Sequence, residues 1–219
     1  MTRRLWITWE VQRRNRSLSK MMRTSLYELT INALPWKRYP ILITRTIRLI
    51  WRKRPDIIFS QNPSIVLAAL SVFIGWLARI PVVIDAHNAG IFPVEGRHEF
   101  LNKLATFINN RAHMVIVSND KLKTYIQQKG GRAFVIPDPI PEIICKQKTK
   151  LTKDVFNIVC VCSWSDDEPY REVILAAKKL GASVNIYMTG NSKGKHKFLE
   201  SGLPENVVLT GFLSYEDYD

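Results

Sequence analysis

A chain of 219 residues with 46% hydrophobic and 10% aromatic residues can bury one large core or two modest ones, and this composition excludes an intrinsically disordered protein. Its net charge of +13 is concentrated, because Met1 to Arg54 hold fourteen Lys and Arg against only Glu10 and Glu28, which places +12 in the first quarter. Such a block fits an anionic partner (a membrane leaflet, nucleic acid or a phosphorylated substrate) and fits equally a solvated face that keeps the protein in solution.

The start, MTRRLWITWEVQRR, turns charged again after six residues, which does not fit a secretory leader. LWITWE (5–10) reads as a first strand, a basic helix follows from about Arg13 to Arg23, and LYELTI (26–31) reads as a second strand. From Tyr39 to Lys53 the residues Ile43, Ile47, Ile50 and Trp51 recur at helical spacing with Arg45, Arg48 and Arg52 between them, predicting a cationic amphipathic helix. Its apolar side either packs on the sheet or, together with Trp36, Lys37, Arg38 and Tyr39, rests on anionic lipid.

Pro55 ends that helix, and DIIFSQN (56–62) returns to strand. The apolar run from Ser64 to Ala78 is shorter than the about 20 residues a bilayer core needs, so it reads as a helix buried inside a sheet protein. PVVIDAHN is a fourth strand, with Asp85, His87 and Asn88 at its tip. A loop with Gly90, Pro93 and Gly96 leads to a helix near 98–111, then to the strand HMVIVSND (113–120) and a helix reaching Lys129. The strand in AFVIPDPIPEI is stopped by Pro137, Pro139 and Pro141.

CKQKTKLTKD (145–154) is polar and aperiodic, the mark of a linker between a domain at 1–144 and another at 155–219. The second series runs through FNIVCVCS (156–163), a helix near 169–180, VNIYMTG (184–190), a short helical piece near 195–201 and NVVLTG (206–211). Strands alternating with helices predict an α/β fold with parallel sheets. Cys160 and Cys162 sit two apart on one strand face, an arrangement that does not bridge, so a reduced, cytoplasmic chain is expected. No metal-ligand spacing occurs.

Ligands of open parallel sheets bind at the carboxyl ends of the strands. Four strands of the first domain end there in polar residues: Glu10, then Gln61 and Asn62, then Asp85, His87 and Asn88, then Ser118, Asn119 and Asp120. Asn62 and Ser118 also suit helix caps, worth about 1 kcal/mol each. A cap does not call for an imidazole, so His87 is either a satisfied structural histidine or a functional group.

The succession PDIIFSQNPSIVLAA, PVVIDAHN, MVIVSND and FVIPDPIPEI, followed by FNIVCVCSWSDDEPYREVILAAKKL, VNIYMTGN and ENVVLTGFLSYEDY, resembles family 4-type glycosyltransferases of GT-B fold over nearly the whole chain. The resemblance implies two Rossmann-like domains, the second incomplete, and transfer of a sugar from a nucleotide-diphosphate sugar to a polysaccharide or lipid-linked acceptor. No further cofactor is implied. His87 falls where such enzymes place a histidine close to the transferred sugar, and Glu10, Asn62, Asp85, Asn88, Ser118 and Asn119 would line the acceptor side. Ser163, Arg171, Gly190 and Lys193 would serve the donor, and the family implies retention of anomeric configuration.

Two departures shape the expectations. The loop SWSDDEPYR is acidic through Asp166, Asp167 and Glu168 where relatives carry cations, leaving Arg171, Lys193 and Lys195 to hold a diphosphate. The family's pair of glutamates separated by seven residues does not occur, so either a truncated product with weak transfer or a subunit completed by a second chain is expected, with an unpaired sheet edge and an open apolar face. The rival readings are a non-catalytic, membrane-associated acceptor-binding subunit and a nucleic-acid binder. No recognised nucleic-acid module supports the latter. A cytoplasmic location, peripheral on the inner membrane face, accompanies the leading reading.

Overall fold

The first strand, β1 (Arg4–Thr8), alternates its faces: Leu5 and Ile7 bury on one side and Trp6 on the other. Both sides of this strand must therefore be covered. The computed structural model describes residues 2–62, 64–138, 154–165, 168–192 and 202–213. The chain divides into two compact units, Met1–Pro141 and Glu142–Asp219.

In the first unit α1 (Arg13–Met21) leads to β2 (Ser25–Glu28), and α2 (Pro35–Lys53) to β3 (Ile57–Asn62). There follow α3 (Ile65–Ala78), β4 (Val82–Ala86), a short α4 (Asn88–Ile91), a 3-10 turn at Pro93–Gly96, α5 (Glu99–Arg111), β5 (Met114–Val117), α6 (Asp120–Gln128) and β6 (Ala133–Val135). The sheet is parallel, in the order β2-β1-β3-β4-β5-β6. From β1 the chain moves one way to β2 and then returns past β1 to β3, so the order reverses between β1 and β3. Right-handed crossovers consequently put α1 on one face and the later helices on the other. The cores agree: Trp6, Phe59 and Ile116 meet Leu18 of α1, with the Trp6 and Phe59 rings stacked at 5.3 Å. Leu5, Ile7 and Ile58 meet Leu42, Leu67, Ile108 and Leu122 of the later helices.

Two helices bury only part of their apolar residues. In α2 the buried positions are Leu42, Thr46 and Ile50, because the Thr46 hydroxyl accepts the buried Trp9 indole N–H at 3.0 Å and fixes the helix rotation. Of the apolar residues at helical spacing, Ile50 packs on the sheet while Ile47 and Trp51 point outward. The apolar α3 buries Leu67, Ala68, Ser71 and Gly75 but leaves Phe73, Trp76 and Leu77 exposed, since a helix laid on one sheet has only one side to bury.

The second unit holds β7 (Phe156–Cys160), α7 (Tyr170–Leu180), β8 (Val184–Thr189) and β9 (Val207–Gly211), parallel in the order β7-β8-β9. Trp164, Tyr170, Ile174, Ala177, Ile186 and Met188 form its core. Phe156, Val159 and Val161 remain exposed. The linker at 145–154, apart from Asp154, lies outside the described residues, as do the helical piece near 195–201, Pro139 and Pro141. No helix among the described residues is long and apolar enough to cross a membrane.

Candidate functional site

The reversal between β1 and β3 is where an open parallel sheet forms a crevice at its carboxyl edge. Register puts Gln61 beside Asp85, and Asn62 beside Ala86. Thr8, at the end of β1, bonds the Gln61 side chain, accepts the Glu10 backbone N–H at 3.1 Å and accepts the Asn15 amide at 3.3 Å. The edge of β1, β3 and α1 is thus tied together by one buried hydroxyl.

Arg14, in the first turn of α1, is the hub of the site. Its Nε donates to both Asp85 carboxylate oxygens at 3.1 Å, and its Nη2 donates to Asp85 Oδ1 at 3.0 Å and to the Ile136 carbonyl at 2.9 Å. Nη1 reaches Asp138 at 2.7 Å. One planar fork therefore joins α1, the end of β4 and the segment after β6. Asp85 is 1% exposed, held behind the edge rather than at its surface. Burial pushes its carboxyl above the ordinary range, and Arg14 pulls it part of the way back.

His87 follows directly, as the residue ahead of α4. Its backbone N–H donates to the Asn62 carbonyl at 3.2 Å, and its own carbonyl accepts from Gly90 at 2.8 Å. The ring is 30% exposed, with Nε2 at 3.8 Å from Asp85 Oδ2. Nε2 is buried and, among the described residues, has no hydrogen-bond partner. The imidazole is therefore positioned by backbone on one side, faces a fixed carboxylate on the other, and still presents an open edge.

The other expected residues divide. Asn62 is fully buried and donates to the Gly90 carbonyl at 3.0 Å, fastening the loop after β4 to β3. A Cβ on Gly90 would run into the Asn62 backbone carbonyl, so only glycine permits this approach. Glu10 is half-buried and Asn88 is exposed at the rim. Ser118 accepts from Asn119 at 3.3 Å, and Asn119 caps α6 through the Leu122 N–H at 3.0 Å. Ser64, rather than Asn62, caps α3. Sequence reasoning missed Arg14, whose only signal was its place in the basic run after the first strand, and it gave Asp138 no role beyond its proline turn.

In the second unit Ser163 is exposed at the end of β7 and Gly190 follows β8. Gly190 has φ +87°, and a Cβ there would strike the Cys162 carbonyl, so the ends of the two strands approach as closely as backbone allows. The Glu168 carboxylate, one of the three that make this loop acidic, folds back onto it. It accepts from the Ser163 and Trp164 N–H groups at 2.8 Å each, from the Ser163 hydroxyl at 2.9 Å and from the Cys162 thiol at 3.1 Å. Arg171 lies over the Tyr170 ring at 5.7 Å. Lys193, Lys195, Asp166 and Asp167 lie outside the described residues. Among the described residues no group of three or more His, Cys, Asp or Glu is arranged to hold a metal ion.

Solved structures with this architecture include Anabaena HepE in complex with UDP and glucose (18% identity, TM-score 0.68, covering 95% of this chain and 62% of that one). Sucrose-phosphate synthase from Thermosynechococcus elongatus matches at 12% identity and TM-score 0.70, over 99% of this chain and 72% of the other. UDP-GlcNAc 2-epimerase from Neisseria meningitidis, bound to UDP-GlcNAc, matches at 10% identity and TM-score 0.66, over 98% and 73%. The chain thus spans about three fifths of the length of HepE. A search of the curated proteins returns no match. The fold is of GT-B type, with the second of its Rossmann-like domains present in part. Residues 3–138 match the glycosyl transferase 4-like domain, and the chain belongs to that family.

Proposed function

We propose that the protein is a glycosyltransferase moving a sugar from a nucleotide-diphosphate donor to a polysaccharide or lipid-linked acceptor. The observation that carries this reading is His87, at the carboxyl edge of the central strand beside an Asp85 immobilised by Arg14. Residues 1–144 form the acceptor side, 145–154 the linker and 155–219 the donor side. His87 contacts the transferred sugar or takes a proton, while Glu10 and Asn88 meet the acceptor and Asp85, Asn62 and the Ser118-Asn119 pair hold the edge in shape. Most of the rate derives from the good leaving group and from positioning. Ser163, Gly190, Arg171 and Lys193 serve the donor phosphates, with anomeric configuration retained. The reaction takes place in the cytoplasm, at the inner membrane face.

Complexes of family-fold neighbours with UDP, UDP-GlcNAc and thymidine diphosphate support a nucleotide donor. The test is calorimetric titration of the 219-residue chain with the diphosphates of uridine, thymidine, guanosine and adenosine, joined to transfer of radiolabelled sugar onto membrane and glycan acceptors. One nucleoside diphosphate is expected to bind selectively, with slow transfer. Absence of both binding and transfer overturns the reading.

The exposed apolar side chains Phe156, Val159 and Val161 favour one further arrangement, an acceptor-binding subunit whose donor side a second chain completes. Co-purification of a second polypeptide that restores nucleotide binding distinguishes it.

A further inference from the structure

The helices on one face of the first unit carry an apolar band that the transfer reading does not use. A cavity of about 550 Å³ between α2 and α3 is lined by Ile47, Trp51, Phe73 and Leu77. Phe73 also lines a second depression of about 260 Å³, shared with Trp76 and Phe107, between α3 and α5. The Phe73 and Trp76 rings lie 6.3 Å apart, so the band is continuous across three helices. Trp51 is 73% and Trp76 71% exposed, an unusual state for the largest apolar side chains.

The rim is cationic. Arg48, Arg52, Lys53, Arg54, Arg79 and Arg111 are all exposed, and neither α2 nor α3 contains an acid. The Arg111 guanidinium lies over the Phe107 ring at 5.1 Å, with charge and apolar surface side by side. Arg3, Pro55 and Ile80, which precede β1, β3 and β4, line the larger cavity as well. The band therefore sits toward the amino edge of the sheet, away from the carboxyl edge that holds His87.

We propose that this three-helix face docks the protein on an anionic lipid bilayer. The inference rests on the membrane-face location given above and assigns it a surface. Indole rings flanked by long cationic side chains match the headgroup level of a leaflet, where the ring is half-solvated and the cation meets phosphate. A second copy of the chain fits less well, because a two-fold contact sets this arginine rim against itself. The bilayer touches the edge opposite the polar site, so docking leaves His87 open and does not itself deliver the acceptor.

The test is flotation of the 219-residue chain with vesicles of phosphatidylcholine alone and of phosphatidylcholine with one-third phosphatidylglycerol, across a salt series. Binding is expected only to the anionic vesicles, and it weakens with salt. Arg48→Gln and Arg52→Gln each lower affinity roughly fivefold. Trp51→Ser with Trp76→Ser, at exposed positions that leave the fold intact, removes the indole fluorescence shift on binding and most of the affinity. No binding to anionic vesicles, or binding indifferent to these substitutions, overturns the proposal. So does concentration-dependent dimerisation in sedimentation that the Trp51→Ser change abolishes, or equal affinity for an oligonucleotide. Nucleotide titration of the same samples separates the two readings: vesicle binding lost with nucleotide binding intact counts against docking alone, and the reverse against transfer alone.

Discussion

Replacing Arg14 by Met keeps much of its volume and strips the guanidinium from a carboxylate that is 1% exposed. Five hydrogen bonds disappear, three of them to Asp85, and the buried charge is left without its counter-ion. Breaking a buried pair from one side costs about 3–5 kcal/mol. In a unit of this size that corresponds to a fall in Tm of about 10–15 °C at pH 7.5. Asp138 is 63% exposed and contributes little, so Asp138→Asn costs less than about 1 kcal/mol.

The pH dependence gives the sharper reading. Burial already pushes the Asp85 carboxyl up, and Arg14 is the main influence pulling it down. Without Arg14 the folded-state pKa rises further above its unfolded value, so the folded Arg14→Met protein holds a proton that the unfolded chain releases. Stability of this variant then increases as pH falls through the raised folded pKa towards the ordinary carboxylate range, and is lost as pH rises. Adding Asp85→Asn removes the dependence and recovers part of the loss. Thermal denaturation of the single and double variants between pH 5.5 and 8 checks this. A cost for Arg14→Met below about 1 kcal/mol at pH 7.5, or strict additivity in the double variant, refutes the argument.

His87→Gln keeps a polar group at a partly exposed position, so Tm changes by only a few degrees while sugar transfer falls about a hundredfold or more, measured by label incorporation. The Cys162 thiol is pushed up to about 11 by burial and by the Glu168 carboxylate. Its peptide, followed by mass spectrometry, should be alkylated by iodoacetamide at pH 8 about two hundred times more slowly than a free thiol; equal rates contradict this. The bonds from Cys162 and from Ser163 and Trp164 hold the Glu168 carboxyl below its ordinary range, so their contribution to the loop is present above the unfolded pKa and fades as pH falls through the folded one. Trp164 fluorescence should report this loosening on acidification, and Glu168→Gln should show it already at neutral pH.

The positions of the strands were legible because a parallel sheet writes itself as short apolar β-rich runs, and Leu5, Ile58, Ile84 and Val115 are buried as such runs require. The helix caps were less so, since Ser64 and Asn119 compete with Asn62 and Ser118 for the same role and only backbone direction chooses between them. His87 stands out in the sequence by its place after an apolar strand, but its approach to Asp85 is a feature of the fold.

What the sequence determined by itself is the alternation of strand and helix, and with it the collection of polar tips at one edge, since the side-chain period and the stops at proline and glycine are local properties. The tertiary structure alone decided that Arg14, far along the chain from Asp85, supplies its counter-ion, that the Glu168 carboxylate turns onto its own loop, and that Trp51 and Trp76 remain in water. Each depends on which groups a crossover brings within hydrogen-bond reach or leaves uncovered, and a linear pattern carries no distance between residues separated by whole helices.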